Sequence, residues 1–157
     1  MNILTGENNP KLRQKSKPVT HLTKEVRSLI TEMKTTMEEN DGVGLAAPQV
    51  GYPLRIIVCK VGDKFYALVN PEIINRSSQE IVMEEGCLSL PQLVGEVSRP
   101  EKVTVKALNL EGKKIKLKSF GLLARVIQHE IDHLDGILFI DKAKNITKNA
   151  QNKNIEI

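Results

Sequence analysis

The chain has no tryptophan, two tyrosines and three phenylalanines, so aromatics make up 3% of its 157 residues. Its basic residues are scattered through all three thirds, with no Arg/Lys block interleaved with aromatics. Nucleic-acid binding by base stacking is therefore not expected. No run approaches the ~18 apolar residues of a membrane span, and no apolar signal region follows Met1. A membrane protein and a secreted one are thus both disfavoured, and the chain reads as cytoplasmic. Two cysteines, Cys59 and Cys87, are too few for a disulfide framework and read as buried thiols or ligands. Repeats and internal linkers are missing as well, which leaves one domain, long enough to bury a core unaided. The formal charge of +4 reads as a solvated surface.

The segment from about Lys24 to Asn40 carries Val26, Leu29, Ile30, Met33 and Met37 at helical spacing, with Thr23 as its N-cap. Residues 1–22, broken by Pro10 and Pro18, read as irregular. Strands are expected at 54–60 and 64–70 around a Gly62-Asp63 turn, then near 79–85, 93–98, 102–109 and 113–118, the last two joined at Glu111-Gly112. Cys59, between Val58 and Lys60 in the first of these, reads as core. A second helix is expected over 120–135, closed by Gly136. Leu122, Leu123, Ala124, Val126, Ile127, Ile131 and Leu134 cover nearly its whole circumference, which predicts burial. From Lys142 the chain turns Asn/Lys-rich and reads as a frayed or short terminal element.

That buried second helix carries Gln128-His129-Glu130-Ile131-Asp132-His133. Two histidines four apart lie on one helix face and can reach a single metal ion. The glutamate after the first histidine sits beside them, the H-E-x-x-H arrangement of a metal-dependent hydrolase. Burying such groups without partners costs roughly 2–7 kcal/mol each, and a metal would supply the partner.

The third ligand separates the classes of metal hydrolase. In the metzincin pattern Gly136 matches, but Phe139 stands where a third histidine belongs. A downstream glutamate is offered only by Glu156, in the polar tail. Upstream, Glu85-Gly86-Cys87-Leu88-Ser89 places a cysteine at a strand end. One thiolate with two imidazoles makes a three-ligand site that leaves a fourth position for water. A buried structural thiol is the competing reading of Cys87.

Taken in order, three motifs resemble those of the peptide deformylases. They are Gly42-Val43-Gly44-Leu45-Ala46-Ala47-Pro48-Gln49, Glu85-Gly86-Cys87-Leu88-Ser89 and Gln128-His129-Glu130-Ile131-Asp132-His133. Pro10-x-Leu12-Arg13, Arg99-Pro100-x-x-Val103-x-Val105 and Gly136-x-Leu138-Phe139-x-Asp141 extend the likeness over about residues 3–142. The resemblance implies removal of the formyl group from the N-terminal formyl-methionine of new proteins, with release of formate. It further implies that Cys87, His129 and His133 hold one divalent metal ion. Fe²⁺ is the ion such enzymes carry in the cell, with Zn²⁺, Ni²⁺ or Co²⁺ able to replace it. Glu130 is then the proton carrier, and Gln49 and the Leu88 backbone N–H face the developing oxyanion.

Under the same resemblance the formylmethionyl peptide lies along the Gly42–Gly44 loop, where glycine lets backbones approach closely. A methionine pocket is expected from Leu122, the stem of Arg125 and Val126, with Val43 and Met83 opposite. Glu85, grouped with this cleft, is also expected to pair with Arg99 and fix the orientation of a ligand. Asp132 is expected to steady a neighbouring group. Many members end in a long basic helix associated with ribosome docking. Residues 143–157 form instead a polar tail, so any ribosome contact is expected to be transient. No presequence precedes the motif-bearing segment, which disfavours an organellar form.

The expected fold is a single α+β domain of mixed, mainly antiparallel sheets around a buried metal-binding helix, with the first helix outside. Two rivals stay in view. A metallopeptidase would cleave internal peptide bonds, and an inactive relative would keep a structural metal and only bind N-terminal peptides.

Overall fold

In the computed structural model, which describes residues 1–148 and 157, helix formation begins at the two caps the sequence offers. Asn9 caps a four-residue helix, α1 (Pro10–Arg13), by accepting from Lys11 N. Proline at the first helical position loses nothing, because its N–H would be unpaired there anyway. This turn lies within the segment expected to be irregular, since four residues carry too little periodicity to read. Thr23 caps α2 (Lys24–Glu39), its hydroxyl accepting from Val26 N. The expected apolar stripe faces inward: Leu29, Ile30, Met33 and Met37 are buried.

Eight strands follow in two antiparallel sheets. The five-stranded sheet runs β1-β2-β3-β6-β7, from β1 (Gly44–Ala46), β2 (Ile56–Val61), β3 (Lys64–Arg76), β6 (Lys102–Leu108) and β7 (Lys114–Phe120). The second sheet runs β4-β5-β8, from β4 (Glu80–Cys87), β5 (Leu90–Pro100) and β8 (Lys144–Lys148). Among the described residues one parallel pairing occurs, an isolated bridge between Lys17 and Leu54. Strands β3 and β5 run longer than the sequence pattern suggested, and β1 was not foreseen. Its three residues are all buried, so they lack the alternation that marks a half-exposed strand. β8 is the short terminal element, pairing Leu93 with Lys148 and Val94 with Thr147; the rest of the polar tail up to 156 lies outside the described residues.

α3 (Gly121–Leu134) packs on one face of the larger sheet and α2 on the other. Under α3 lie Ile57, Cys59, Leu68, Val103 and Val105 with Val126, Ile127 and Leu134. Under α2 lie Leu45, Ile56, Val58 and Val69. A third cluster of Leu12, Cys87, Leu90, Val97, Leu138 and Phe139 ties α1 and the β4–β5 hairpin to the turn that follows α3. Gly136 closes α3 at φ +73°, its N–H donating to His133 O while Ile137 N donates to Asp132 O. That left-handed cap needs glycine, and a Cβ there would also meet the Arg13 carbonyl at 2.4 Å. α3 is thereby held between the sheets, with its polar face turned to the end of β4.

Candidate active site

On α3 the polar face presents His129, Glu130 and His133, all at 1% exposure or less. Cys87 ends β4 and is equally buried, where a break in the β4–β5 register falls between Gly86 and Cys87. Cys87 Sγ lies 3.3 Å from His133 Nε2. One ligand atom each from Cys87, His129 and His133 falls within 4.8 Å of the other two. With ion–ligand bonds of about 2.0–2.3 Å, a single ion can bridge that span.

The hydrogen-bonding balance of the site supports an ion. His129 Nε2, His133 Nδ1 and both carboxylate oxygens of Glu130 are buried with no hydrogen-bond partner. Buried polar atoms normally find a partner, and an unpartnered His129 Nε2 grouped with the Cys87 thiol and His133 makes a cradle that suits a cation. One thiolate and two imidazoles suit Fe, Zn, Ni or Co alike.

The surroundings of His133 keep its imidazole neutral. Burial, then the neighbouring His129, pushes the His133 pKa well below its usual value. His129 Nδ1 meets the Glu85 carboxylate at 2.8 Å, which leaves Nε2 free to face the cradle. Glu85 is wholly buried, and burial alone would raise its pKa. His129 and Arg99 hold it well below the usual carboxylate range instead. Glu130 has no such donors: burial first, then the charge of Glu85, pushes its pKa well above the ordinary value. Two buried carboxyls on adjacent elements are thus driven in opposite directions.

Glu85 is the junction of the site. Arg99 donates to it from Nε at 2.6 Å and from a terminal nitrogen at 2.9 Å, and Arg125 donates to the same carboxylate. Arg99 lies opposite Ile81 in the ladder, and Glu85 opposite Gly95, so the pair forms diagonally. The sequence grouped Glu85 with the peptide cleft as well; its oxygens face His129 and the two arginines in the interior, which is the orienting role. Asp132 steadies Arg99, accepting at 2.9 Å, and also pairs with Lys142.

Gln49 sits at 0% exposure in the 3₁₀ turn Ala47–Val50. Its Oε1 accepts from Ala46 N, and its Nε2 donates to Ser89 Oγ at 3.1 Å with Cys87 Sγ at 3.6 Å. The amide is thereby locked with its donor end toward the cradle, and Leu88 follows Cys87 at 9% exposure. A Cβ on Gly44 would lie 2.6 Å from Glu130 Oε1 and 2.7 Å from Val126 Cγ1. A Cβ on Gly42 would lie 2.7 Å from Leu88 Cδ1. The space these glycines leave is filled by the protein's own side chains, a requirement separate from any peptide.

The residues expected around a methionine side chain divide into two groups. Met83, Leu122 and Arg125 line a small cleft of about 60 Å³ with Ile81 and Pro100. Val43, Gly44 and Val126 lie on the inner side, around Glu130. The Arg125 guanidinium is turned inward to Glu85, Val97 O and Ile81 O. Only its stem is left for the cleft. Ile157 is buried within the apolar cluster that includes Val126, its N–H meeting Gly86 O at 3.4 Å.

Three features escaped the sequence reading. Ser89 anchors Gln49; Phe139 stacks on His129 with ring centroids 6.2 Å apart; and Arg13 pairs with Asp141. Phe139, which the sequence offers only as a missing ligand, stacks on the candidate ligand His129 instead. All three stand inside quoted motif segments, but nothing in their spacing states a contact.

The chain is similar to known proteins along most of its length. A family model described as polypeptide deformylase matches residues 1–149. The peptide deformylase of Halothermothrix orenii is 55% identical over 140 residues, covering 88% of this chain and 90% of that protein. That of Natranaerobius thermophilus is 49% identical over 144 residues, covering 91% and 92%. The crystal structure of peptide deformylase from Thermotoga maritima superposes with a TM-score of 0.88 at 42% identity, covering 91% of this chain and 97% of that one. The enzyme from Synechococcus elongatus in complex with actinonin gives the same score and identity, covering 90% and 78%. The burial, the ligand geometry and these likenesses agree: the chain belongs to the polypeptide deformylase family.

Proposed function

We propose that Cys87, His129 and His133 hold one divalent metal ion and that Glu130 carries the proton in the reaction of this family. That reaction removes the N-terminal formyl group from nascent polypeptides and releases formate. The observation that carries the reading is the clustering of buried ligand atoms from Cys87, His129 and His133 within 4.8 Å of one another. When bound, the ion supplies Lewis-acid activation of water and of the formyl carbonyl, and Fe²⁺ is the ion proposed for the cell.

Everything else is the work of side chains. Glu130 takes the proton of the attacking water and gives it to the departing amine. The Gln49 Nε2 and the Leu88 backbone N–H donate to the oxyanion; one such donor is typically worth about 3–4 kcal/mol in the transition state. Glu85 fixes the tautomer of His129, and Arg99 with Arg125 fixes Glu85.

We assign the formylmethionyl peptide to Val43–Gly44 and its methionine side chain to Val126 on the inner side, while Leu122, Met83 and the Arg125 stem line a separate cleft. The buried aliphatic side chain of Ile157 in the Val126 cluster supports an apolar environment there. Among the described residues no helix is long and apolar enough to cross a membrane, in keeping with a proposed cytoplasmic site of action on nascent chains.

The test is formate release from formyl-Met-Ala-Ser by anaerobically purified protein, with its metal content measured on the same sample. Release with about one metal per chain, and no turnover of acetyl-Met-Ala-Ser or an internal-cleavage substrate, is expected. Metal without formate release would point to an inactive peptide binder, and internal cleavage to a peptidase.

A further inference from the structure

On the side of the larger sheet away from α3, strands β6 and β7 are not covered by a helix at their β3-proximal ends. Their outward positions are Lys102 and Lys106 on β6, and Lys114, Lys116 and Lys118 on β7, all exposed. Inward positions such as Val103, Val105 and Ala107 are buried under α3. This face gathers five lysines, and among the outward positions of β3, β6 and β7 one carboxylate, Glu72, pairs with Lys106 at 3.3 Å. That excess of four charges equals the formal +4 of the whole chain. The cations alternate with inward-facing residues, so no basic block shows in the sequence.

Edge-strand lysines commonly serve to discourage sheet-to-sheet pairing, and β7 is an edge. That explanation does not extend to Lys102 and Lys106, on the interior strand β6. Nor does it explain why Lys106 stands directly opposite Lys116, where like charges destabilise a ladder. Phe120, opposite Lys102, is 73% exposed in a chain with three phenylalanines. Beside it a groove of about 520 Å³ runs across the strand ends, lined by Arg76, Lys102 and Lys118 with Asn75, Ser77 and Thr104.

We propose that this face binds single-stranded RNA, its phosphates tracking the lysines of β6 and β7 and a base stacking on Phe120. Cations spaced along strands match a phosphate backbone, and an exposed aromatic ring offers a sequence-tolerant stacking platform. A membrane surface is the poorer fit, because an interfacial anchor needs a broad apolar face and Phe120 is a single exposed ring among lysines. The site is independent of the deformylase centre and stands or falls separately from it.

The test is fluorescence anisotropy of a labelled 20-nucleotide single-stranded RNA with the full chain across a salt series. Binding is expected to weaken with a log–log slope of about −3, as for roughly four released counterions. Lys116→Glu with Lys118→Glu should lower affinity by about 10-fold or more and flatten that slope. Phe120→Ala should lower affinity by about 10-fold with the slope kept. Lys24→Glu with Lys64→Glu, the same change of net charge elsewhere, should have little effect. Formate release by each variant verifies that it is folded. The proposal is overturned by no binding at about 50 mM salt, by equal loss in both double variants, or by binding to phosphatidylserine vesicles without binding to RNA.

Discussion

Glu85 and His129 are 44 residues apart in the chain, yet the Glu85 carboxylate meets His129 Nδ1 at 2.8 Å in the protein interior. The pair joins the hairpin of β4 and β5 to α3, and two arginines converge on the same carboxylate. Removing its charge leaves the Arg125 guanidinium buried without a counter-ion and Arg99 with Asp132 alone. Glu85→Gln should therefore cost about 3–5 kcal/mol in urea unfolding of the metal-free protein. Metal retention against a chelator should weaken about 10–100-fold, because the ligand histidine loses its anchor. Unchanged unfolding and unchanged retention would remove Glu85 from this junction.

Gly44 has no room for a methyl group. Its added Cβ would meet Glu130 Oε1 at 2.6 Å and Val126 Cγ1 at 2.7 Å. Overpacking of this kind costs about 1–3 kcal/mol in stability. Turnover should suffer more, by about 10²-fold, since a displaced Glu130 no longer lines up with its proton donor. Gly44→Ala should thus lower kcat far more than it lowers the melting temperature. Wild-type turnover would show that the position of Glu130 is not demanding.

Cys59 should be chemically silent. Burial first, then the charge of Glu130, pushes its thiol up to about 12, so almost no thiolate exists near neutrality. In a Cys87→Ser background, the native protein at pH 8 should not react with a thiol reagent, and in denaturant it should titrate one thiol. Rapid native labelling would contradict the packing of β2 under α3.

Arg13 and Asp141 give a test by pH. Burial alone would raise the Asp141 pKa, but Arg13 and the Leu138 N–H hold it below its ordinary value. A depressed folded-state pKa stabilises the fold above the unfolded value of about 4 and loses that contribution as pH falls through the acid range. The pair is partly exposed, so the contribution is at most about 1 kcal/mol. Asp141→Asn should lower the unfolding midpoint at pH 7 and match wild type near pH 3. A constant difference across that range would place the effect elsewhere.

What was legible in the sequence follows from how local each feature is. The cap at Thr23, the stripe of α2 and the apolar α3 are written within single segments, and the structure reproduces their bounds within about a residue, although Leu122 in the first turn of α3 is 43% exposed rather than buried. The proposed metal cradle was legible in part because two of its three proposed ligands share one helix. The Arg125 guanidinium turning in to Glu85, the Ser89 tether on Gln49 and the ring of Phe139 behind His129 were not. Each joins segments distant in the chain, and spacing alone carries no information about which side chains meet after folding. β1 was missed for a different reason: a strand buried on both faces shows no alternation.

The most direct single measurement is made on Glu130→Gln, which keeps the side-chain shape and removes the acid function. Formate release from formyl-Met-Ala-Ser and metal content are determined on one sample, beside wild type. The expected result is about one metal per chain with turnover lowered about 10²–10⁴-fold. Loss of the metal would make Glu130 a determinant of the ion site, and wild-type turnover would take the proton-carrying role away from it.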